Sequence, residues 1–306
     1  MRARAGNGRS TPAAGPRTLW RGPHPARPDR GLWGEDDDDV MDAAEALRRI
    51  ERGREEQGRL LLGLDFDGTL APIVPVPQDA TILPAAGEAI RAIADRPDTL
   101  VAVVSGRGLA DVRARVREER AFFAGNHGFE IEGPGLRHRI DAAERLRPEL
   151  RVLTERLRHE IGHIPGTEIE DKGVTVSVHY RRVTDPALAA TVRDLADREA
   201  ARSGIRATHG KRVVELRPPV DWHKGRALEF LIDTLSAGGP IYPVFIGDDV
   251  TDEDAFRAVQ ARGGLAILVA SAEHQRETVA DARVASPEDL VPFLNAIGGN
   301  AAPAGA

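Results

Sequence analysis

Apolar and polar positions follow two different patterns along this chain. Unbroken apolar runs recur toward its two ends: Leu60-Leu61-Leu62-Gly63-Leu64, Leu100-Val101-Ala102-Val103-Val104, Tyr242-Pro243-Val244-Phe245-Ile246 and Leu265-Ala266-Ile267-Leu268-Val269. Strands buried on both faces of a parallel sheet read this way. Helical periodicity over 84–95 and 108–118 separates the first runs. Strand then alternates with helix, as in an open α/β sheet. The middle differs. Val174-Thr175-Val176-Ser177-Val178-His179-Tyr180 alternates strictly, which predicts a strand with one face buried. Helices are predicted over 144–161 and 186–202, a turn at Gly133-Pro134-Gly135, and a strand at Val213-Val214-Glu215-Leu216. The expected fold class is α/β: a parallel-sheet core over 41–131 and 221–297, interrupted by a smaller α+β unit over 132–220.

The two ends lack periodicity. Residues 1–40 are rich in Gly, Pro and Arg and finish in the acidic run Glu35-Asp36-Asp37-Asp38-Asp39, so disorder is expected there. The Gly/Ala/Asn tail 298–306 is expected to be disordered too. Met41 opens a helical pattern, so the folded part is expected to start there, and Met41 is a candidate translation start. The N-terminal segment lacks the apolar stretch of a secretory signal. No run approaches the ~18 apolar residues of a membrane span. A cytoplasmic protein with no membrane partner is therefore expected.

Composition narrows the chemistry. The chain has no cysteine, which removes disulfides, thiolate nucleophiles and cysteine-bound metals. A net charge of -6 and 4% aromatic residues argue against a general nucleic-acid surface. Of 42 basic residues only Lys172, Lys211 and Lys224 are lysine. Against so strong an arginine bias, a retained lysine marks a place where a compact ammonium is needed rather than a planar fork.

Ligands of open α/β sheets bind beyond the carboxyl ends of the strands. There the chain places Asp65-Phe66-Asp67-Gly68-Thr69-Leu70, then Ser105-Gly106-Arg107, then Gly247-Asp248-Asp249, with Asp252 and Asp254 following and Lys224 opening a helix before the third run. Singly each has a bland reading as a solvated turn, a cap or a surface charge. In this order, each at the end of a buried strand, they form one crevice. Carboxylates gathered there repel one another unless a cation sits among them. Oxygen ligands alone suit a hard metal, Mg²⁺ best. An Asp can attack phosphorus directly. A second Asp two residues on points to the same side and can protonate the leaving oxygen, then activate water.

The four motifs resemble those of the haloacid dehalogenase superfamily of phosphatases. The resemblance implies a Rossmann-like core with an inserted cap. It also implies Asp65 as nucleophile and metal ligand, and Asp67 as general acid/base with its main-chain carbonyl on the metal. Ser105 would bond the phosphoryl group and Lys224 would bridge Asp65 and phosphate. Asp248 would be the third metal ligand, with Asp249 and Asp252 ligating or orienting a water, and Thr69 would bond the phosphoryl group or its loop. Longer strings are similar to trehalose-6-phosphate phosphatases: Gly247-Asp248-Asp249-Val250-Thr251-Asp252-Glu253-Asp254-Ala255-Phe256, Gly125-Asn126-His127-Gly128, Glu170-Asp171-Lys172-Gly173, Val178-His179-Tyr180-Arg181, Gly210-Lys211 and Val214-Glu215-Leu216-Arg217-Pro218. The similarity runs from about residue 60 to 295.

A sugar phosphate needs a second surface to select the sugar. Glu170, Lys172, His179, Lys211 and Glu215 are the candidates, with Arg107, Asn126 and His127 near the phosphate or the near ring. All three lysines fall on these motifs. The implied reaction is Mg²⁺-dependent hydrolysis of trehalose 6-phosphate, with a functional link to the synthase that makes it. The alternatives are phosphatases for sucrose 6-phosphate or mannosyl-3-phosphoglycerate, a phosphotransferase or mutase, and a non-catalytic sugar-phosphate-binding regulatory subunit.

Overall fold

The computed structural model describes residues 41–270 and 277–299. In chain order the first half runs α1 (Ala43–Gln57), β1 (Leu60–Leu64), α2 (Pro84–Ala94), β2 (Thr99–Val104), α3 (Leu109–Val116), β3 (Phe122–Gly125), β4 (Glu130–Gly133), β5 (Leu136–Arg139), α4 (Asp141–Arg145) and α5 (Arg147–Ile161). Then follow β6 (Glu168–Asp171), β7 (Val176–His179), α6 (Pro186–Arg202), β8 (Arg206–Gly210), β9 (Val213–Arg217), α7 (Lys224–Leu235), β10 (Tyr242–Gly247), α8 (Glu253–Gln260), β11 (Leu265–Val269), β12 (Ala282–Val284) and α9 (Pro287–Ile297).

Two sheets result. The larger has the order β12-β11-β10-β1-β2-β3-β4-β5 and is parallel from β12 to β3. All five residues of β1 are buried because helices cover both faces. Leu60, Leu62 and Leu64 pack on one face with Ile50 of α1, Ile90 of α2 and Leu290 of α9. Leu61 packs on the other with Leu228 and Leu231 of α7 and Phe256 of α8. Each such leucine contributes about 1.5–3 kcal/mol through burial. The smaller sheet has the order β6-β7-β9-β8 and is antiparallel throughout. Val176, Val178, Val214 and Leu216 turn to α5 and α6, where they meet Leu153, Leu157 and Val192. The intervening residues turn the other way, and Glu170, Ser177 and Glu215 stand in register across the sheet.

The hairpin at Gly133-Pro134-Gly135 corrects the expected boundary. β4 and β5 belong to the larger sheet, not to a separate unit beginning at 132. The chain turns back after β3, and β4 satisfies the edge hydrogen-bonding groups that a terminal parallel strand leaves open. The smaller sheet and its helices therefore follow Arg139. The expected disorder of 1–40 and of most of the tail falls on residues outside those described. Within the tail, Gly298 caps α9 by donating its N–H to the Leu294 carbonyl at 2.9 Å. Among the described residues no helix is long and apolar enough to cross a membrane.

Parallel register positions the site. Leu64 stands opposite Val103 and Ile246, so β1, β2 and β10 end side by side. Asp65, Ser105 and Asp248 follow within two residues of those aligned positions.

Candidate active site

Asp65 leaves β1 with its N–H bonded to the Ile246 carbonyl at 2.9 Å. Its carboxylate is 4% exposed as a residue and receives the ammonium of Lys224, the first residue of α7. Lys224 Nζ donates to Asp65 Oδ1 at 2.8 Å and to Asp252 Oδ1 at 2.8 Å. The second oxygen of Asp252 accepts the main-chain N–H groups of Asp248 (3.0 Å) and Asp249 (2.9 Å). Asp249 returns the bond by accepting the N–H of Asp252, closing a reciprocal cap. Asp252 thus shapes the turn after β10 and anchors Lys224 at the same time. The carboxylates of Asp65, Asp248 and Asp252 offer oxygens within 4.8 Å of one another, and all three residues are buried.

One ammonium faces three carboxylates. Burial pushes the carboxyls of Asp65 and Asp248 above their ordinary range; Lys224 opposes the rise in both, while Asp252 adds to it in both, Asp67 adds to it at Asp65, and Asp65 adds to it at Asp248. Burial alone would lower Lys224, but Asp252 and Asp65 hold it above its ordinary value, so it stays charged. Asp248 Oδ1 and Thr69 Oγ1 are buried without a hydrogen-bond partner among the described residues. A buried acceptor left unmatched costs about 1–3 kcal/mol. The donor set is oxygen only, crowded and short of positive charge, so it fits a hard divalent cation.

Asp67 lies just outside this group. Its two oxygens accept Arg107 Nε (2.7 Å) and Arg107 Nη2 (2.6 Å). Arg107, expected near the phosphate or the near ring, meets Asp67 in this arrangement. Ser105 is buried after β2, and its Oγ accepts the N–H of Arg107 at 3.2 Å. Asn126 and His127 follow β3 with φ of 53° and 55°, a left-handed stretch rarely taken by non-glycine residues. Main-chain bonds from Asn126 to the Arg107 carbonyl (2.7 Å) and from His127 to the Ser105 carbonyl (2.8 Å) hold them there. Such strain persists where surrounding structure over-determines it.

The smaller sheet turns its polar face onto these loops. Lys172 Nζ donates to the Gly106 carbonyl at 3.0 Å and lies 3.6 Å from Glu215 and 3.9 Å from Glu170. Glu215 pairs with His127 at 2.9 Å. Burial would raise Glu215, but His127 and Lys172 hold it well below the usual carboxylate range. His179 pairs with Glu170 at 3.3 Å. Glu170 is also lowered: burial opposes, while the hydrogen bond to His179 and the charge of Lys172 prevail. Lys211 lies exposed in the turn between β8 and β9, where its main-chain carbonyl accepts Arg181 Nη2 at 3.4 Å.

Residues 63–288 match the family model of trehalose-phosphatases. The chain belongs to the trehalose-phosphatase family. It is 40% identical over 237 residues to a trehalose-phosphate phosphatase of Mycobacterium tuberculosis H37Rv, covering 76% of this chain and 59% of that protein. It is 41% identical over 266 residues to part of an uncharacterized glycosyl hydrolase of the same strain, covering 84% of this chain but 19% of that protein. The chain thus spans less than two thirds of these relatives. Among solved structures it is similar to the C-terminal domain of Candida albicans trehalose-6-phosphate phosphatase, with TM-score 0.68 and 22% identity over 85% of this chain and 98% of that one. The fold is haloacid dehalogenase-like, mixed α/β with a mostly parallel core sheet.

Seen within this trehalose-phosphatase family fold, some contacts escaped the sequence reading. Asn126 donates to Glu130 (2.7 Å) and to the Lys172 carbonyl (3.2 Å), and accepts Thr175 Oγ1 (2.7 Å). Thr175 therefore ties the second sheet to the core loop, although in sequence it is one more residue of an alternating strand. Asp111 and Arg115 escaped too. Their signal was the spacing Arg107, Asp111, Arg115, four residues apart and sharing one side of α3 and its approach. A cavity of about 620 Å³ opens between α3, the β4–β5 hairpin and β6, lined by Asp111, Arg113, Glu130, Arg139, Glu170 and Lys172 among others.

Proposed function

We propose that this chain hydrolyses trehalose 6-phosphate to trehalose and inorganic phosphate, with Mg²⁺, through an aspartyl-phosphate on Asp65. The observation that carries the reading is the pairing of buried Asp65 with Lys224 beside Asp248, with Asp67 two residues on, in a chain of the trehalose-phosphatase family.

Lys224 donates to the Asp65 carboxylate, which aims it and opposes the burial that disfavours its ionised form. An Asp65 oxygen attacks phosphorus, and the bond from phosphorus to the sugar oxygen breaks. Asp67 delivers its proton to that departing oxygen. Asp67 then takes a proton from water, the water oxygen attacks phosphorus, and the acyl-phosphate bond breaks to free Asp65 and phosphate. Asp65, Asp248 and the main-chain carbonyl of Asp67 would hold Mg²⁺, with Asp249 and Asp252 supporting it. Bound there, Mg²⁺ supplies positive charge against the phosphoryl oxygens. Ser105 and Thr69 donate hydrogen bonds to the phosphoryl group.

The smaller sheet with α5 and α6 serves as a cap. Glu170, Lys172, His179, Lys211 and Glu215 present acceptors and donors to the sugar hydroxyls, and the loop of Asn126 and His127 completes the site from the core side. The reaction is the last step of trehalose biosynthesis, fed by a synthase that makes the phosphorylated disaccharide in the cytoplasm.

Phosphate release from trehalose 6-phosphate, sucrose 6-phosphate and glucose 6-phosphate, each with and without Mg²⁺, tests the reading. Turnover confined to the first substrate and requiring Mg²⁺ is expected. Preference for another sugar phosphate moves the substrate assignment, and no turnover of any removes the enzymatic reading.

A further inference from the structure

Asp67 has to present one carboxylate oxygen to a departing sugar oxygen and then to water. Its side chain is 44% exposed, so packing alone does not fix its rotamer. Arg107 does. The guanidinium meets both Asp67 oxygens side by side, at 2.7 and 2.6 Å, the two-point geometry that only a planar fork provides.

The fork is itself held from every side. Arg107 Nη2 also donates to the Pro77 carbonyl at 2.6 Å, and Nη1 donates to Asp111 at 3.0 Å. The guanidinium lies over the Phe66 ring, 5.2 Å from its centre. Asp111 is fixed in turn by Arg115, whose Nε lies 2.9 and 3.0 Å from its two oxygens. Arg115 further binds the carbonyls of Gln78 and Ala80, so both arginines grip the 77–80 turn. That turn reaches the smaller sheet through a hydrogen bond from Gln78 to Glu168. Burial alone would lower the guanidinium of Arg107, but Asp67 and Asp111 raise it, so the charge is secure. Four of its hydrogen bonds go to protein groups, which leaves little of its five-donor fork for a phosphoryl group.

We propose that Arg107 is the positioning residue of Asp67: its fork fixes the rotamer of that carboxylate, and Asp111, braced by Arg115, fixes the fork. Proton transfer uses one Asp67 oxygen at a time, so one arm of the fork lets go while the other keeps the carboxylate in place. The inference rests on the reading of Asp67 as the proton carrier, and deepens it.

The test is a kinetic cycle with trehalose 6-phosphate and Mg²⁺. Wild type and Asp67→Asn come first; a wild-type rate untouched by Asp67→Asn overturns the reading and this inference together. Arg107→Lys keeps the charge but makes one contact. Its kcat is expected to fall about 10- to 100-fold with KM within about threefold, since a misplacement near 1 Å can cost about 10² in rate. In the Asp67→Asn background the same change is expected to add less than about twofold, the non-additivity of groups acting as a unit. Asp111→Asn, on the solvent side of the fork, is expected to lower kcat about 3- to 10-fold by the same logic. It also serves if Arg107→Lys fails to fold, which thermal unfolding reveals. An Asp67-dependent wild type whose kcat is unchanged by both substitutions overturns the inference alone. So does a raised KM at constant kcat, which makes Arg107 a substrate contact, or an equal loss in the Asp67→Asn background.

Discussion

Glu215 of the smaller sheet pairs with His127 of the core loop, Oε2 to Nε2, at 2.9 Å across 88 residues of sequence. The contact joins the two sheets, and Lys172 reinforces it from 3.6 Å. Glu215 was expected to meet the sugar, and His127 the phosphate or the near ring. In the arrangement described they face each other, so a substrate hydroxyl entering here would have to share or displace this pair.

Glu215→Gln keeps the side-chain shape and removes the charge. Glu215 lies below its ordinary value of 4.5 in the folded state, so its ionised form adds stability that is fully present above that pH. The contribution fades as pH falls through the lowered folded value. The variant is expected to lose about 1–3 kcal/mol near neutral pH, as for a hydrogen bond to a charged group. The gap between wild type and variant should narrow below about pH 4. Unfolding midpoints measured across pH check this, and a gap independent of pH would count against it.

Lys224→Met removes the ammonium shared by Asp65 and Asp252, both buried. Breaking a buried charge pair by deleting one partner costs about 3–5 kcal/mol, because the other charges are left uncompensated. Phosphate release is expected to fall by at least about 10²-fold. Denaturant titration and steady-state rates give the two numbers. A variant as stable and active as wild type would mean that Lys224 neither balances the cluster nor aims Asp65.

The fold of the core was legible because parallel strands announce themselves. The runs ending at Leu64, Val104 and Ile246 are followed within two residues by Asp65, Ser105 and Asp248, and register sets Leu64 beside Val103 and Ile246, so these neighbouring strand ends meet. The long helix of the smaller unit, Pro186–Arg202, was equally legible, expected and found over the same residues. What stayed hidden depended on side chains meeting across the fold. Nothing in the order of residues says that Arg107 reaches back 40 positions to Asp67, or that Asp252 spends its oxygens on Lys224 and two main-chain N–H groups. The turn at Gly133-Pro134-Gly135 was grouped with the smaller unit because the strands beside it, β4 and β5, are four residues each, too short for a pattern to show which sheet they join.

Divalent metal should stabilise as well as activate. Ligand bound only to the folded state adds about 2.7 kcal/mol at 100 times its dissociation constant. Mg²⁺ is therefore expected to raise the unfolding temperature of metal-stripped protein, and EDTA to stop phosphate release. Asp248→Asn, which removes one of the three clustered carboxylates, should lose most of that rise. Phosphate release that survives exhaustive chelation, with an unfolding temperature indifferent to Mg²⁺, would contradict the assignment.

Gly68 is the tightest constraint in the first motif. Its φ is +81°, and a Cβ built there would stand 2.0 Å from Asp248 Oδ2. Two costs are then mixed in Gly68→Ala: backbone strain of about 1 kcal/mol or more, and displacement of a carboxylate needed for the cluster. Gly135 separates them. It has a φ of +69°, lies in the hairpin turn between β4 and β5, and a Cβ there would meet nothing within 4 Å. Gly135→Ala is expected to lose stability by strain alone and to keep wild-type kcat. Gly68→Ala is expected to lose more stability, to lose at least about 10²-fold in kcat, and to need more Mg²⁺ for half-maximal rate, because moving a group by about 1 Å at the reacting centre is expensive. Equal behaviour of the two variants in stability, rate and Mg²⁺ requirement would show that the close approach of Gly68 to Asp248 has no part in the chemistry.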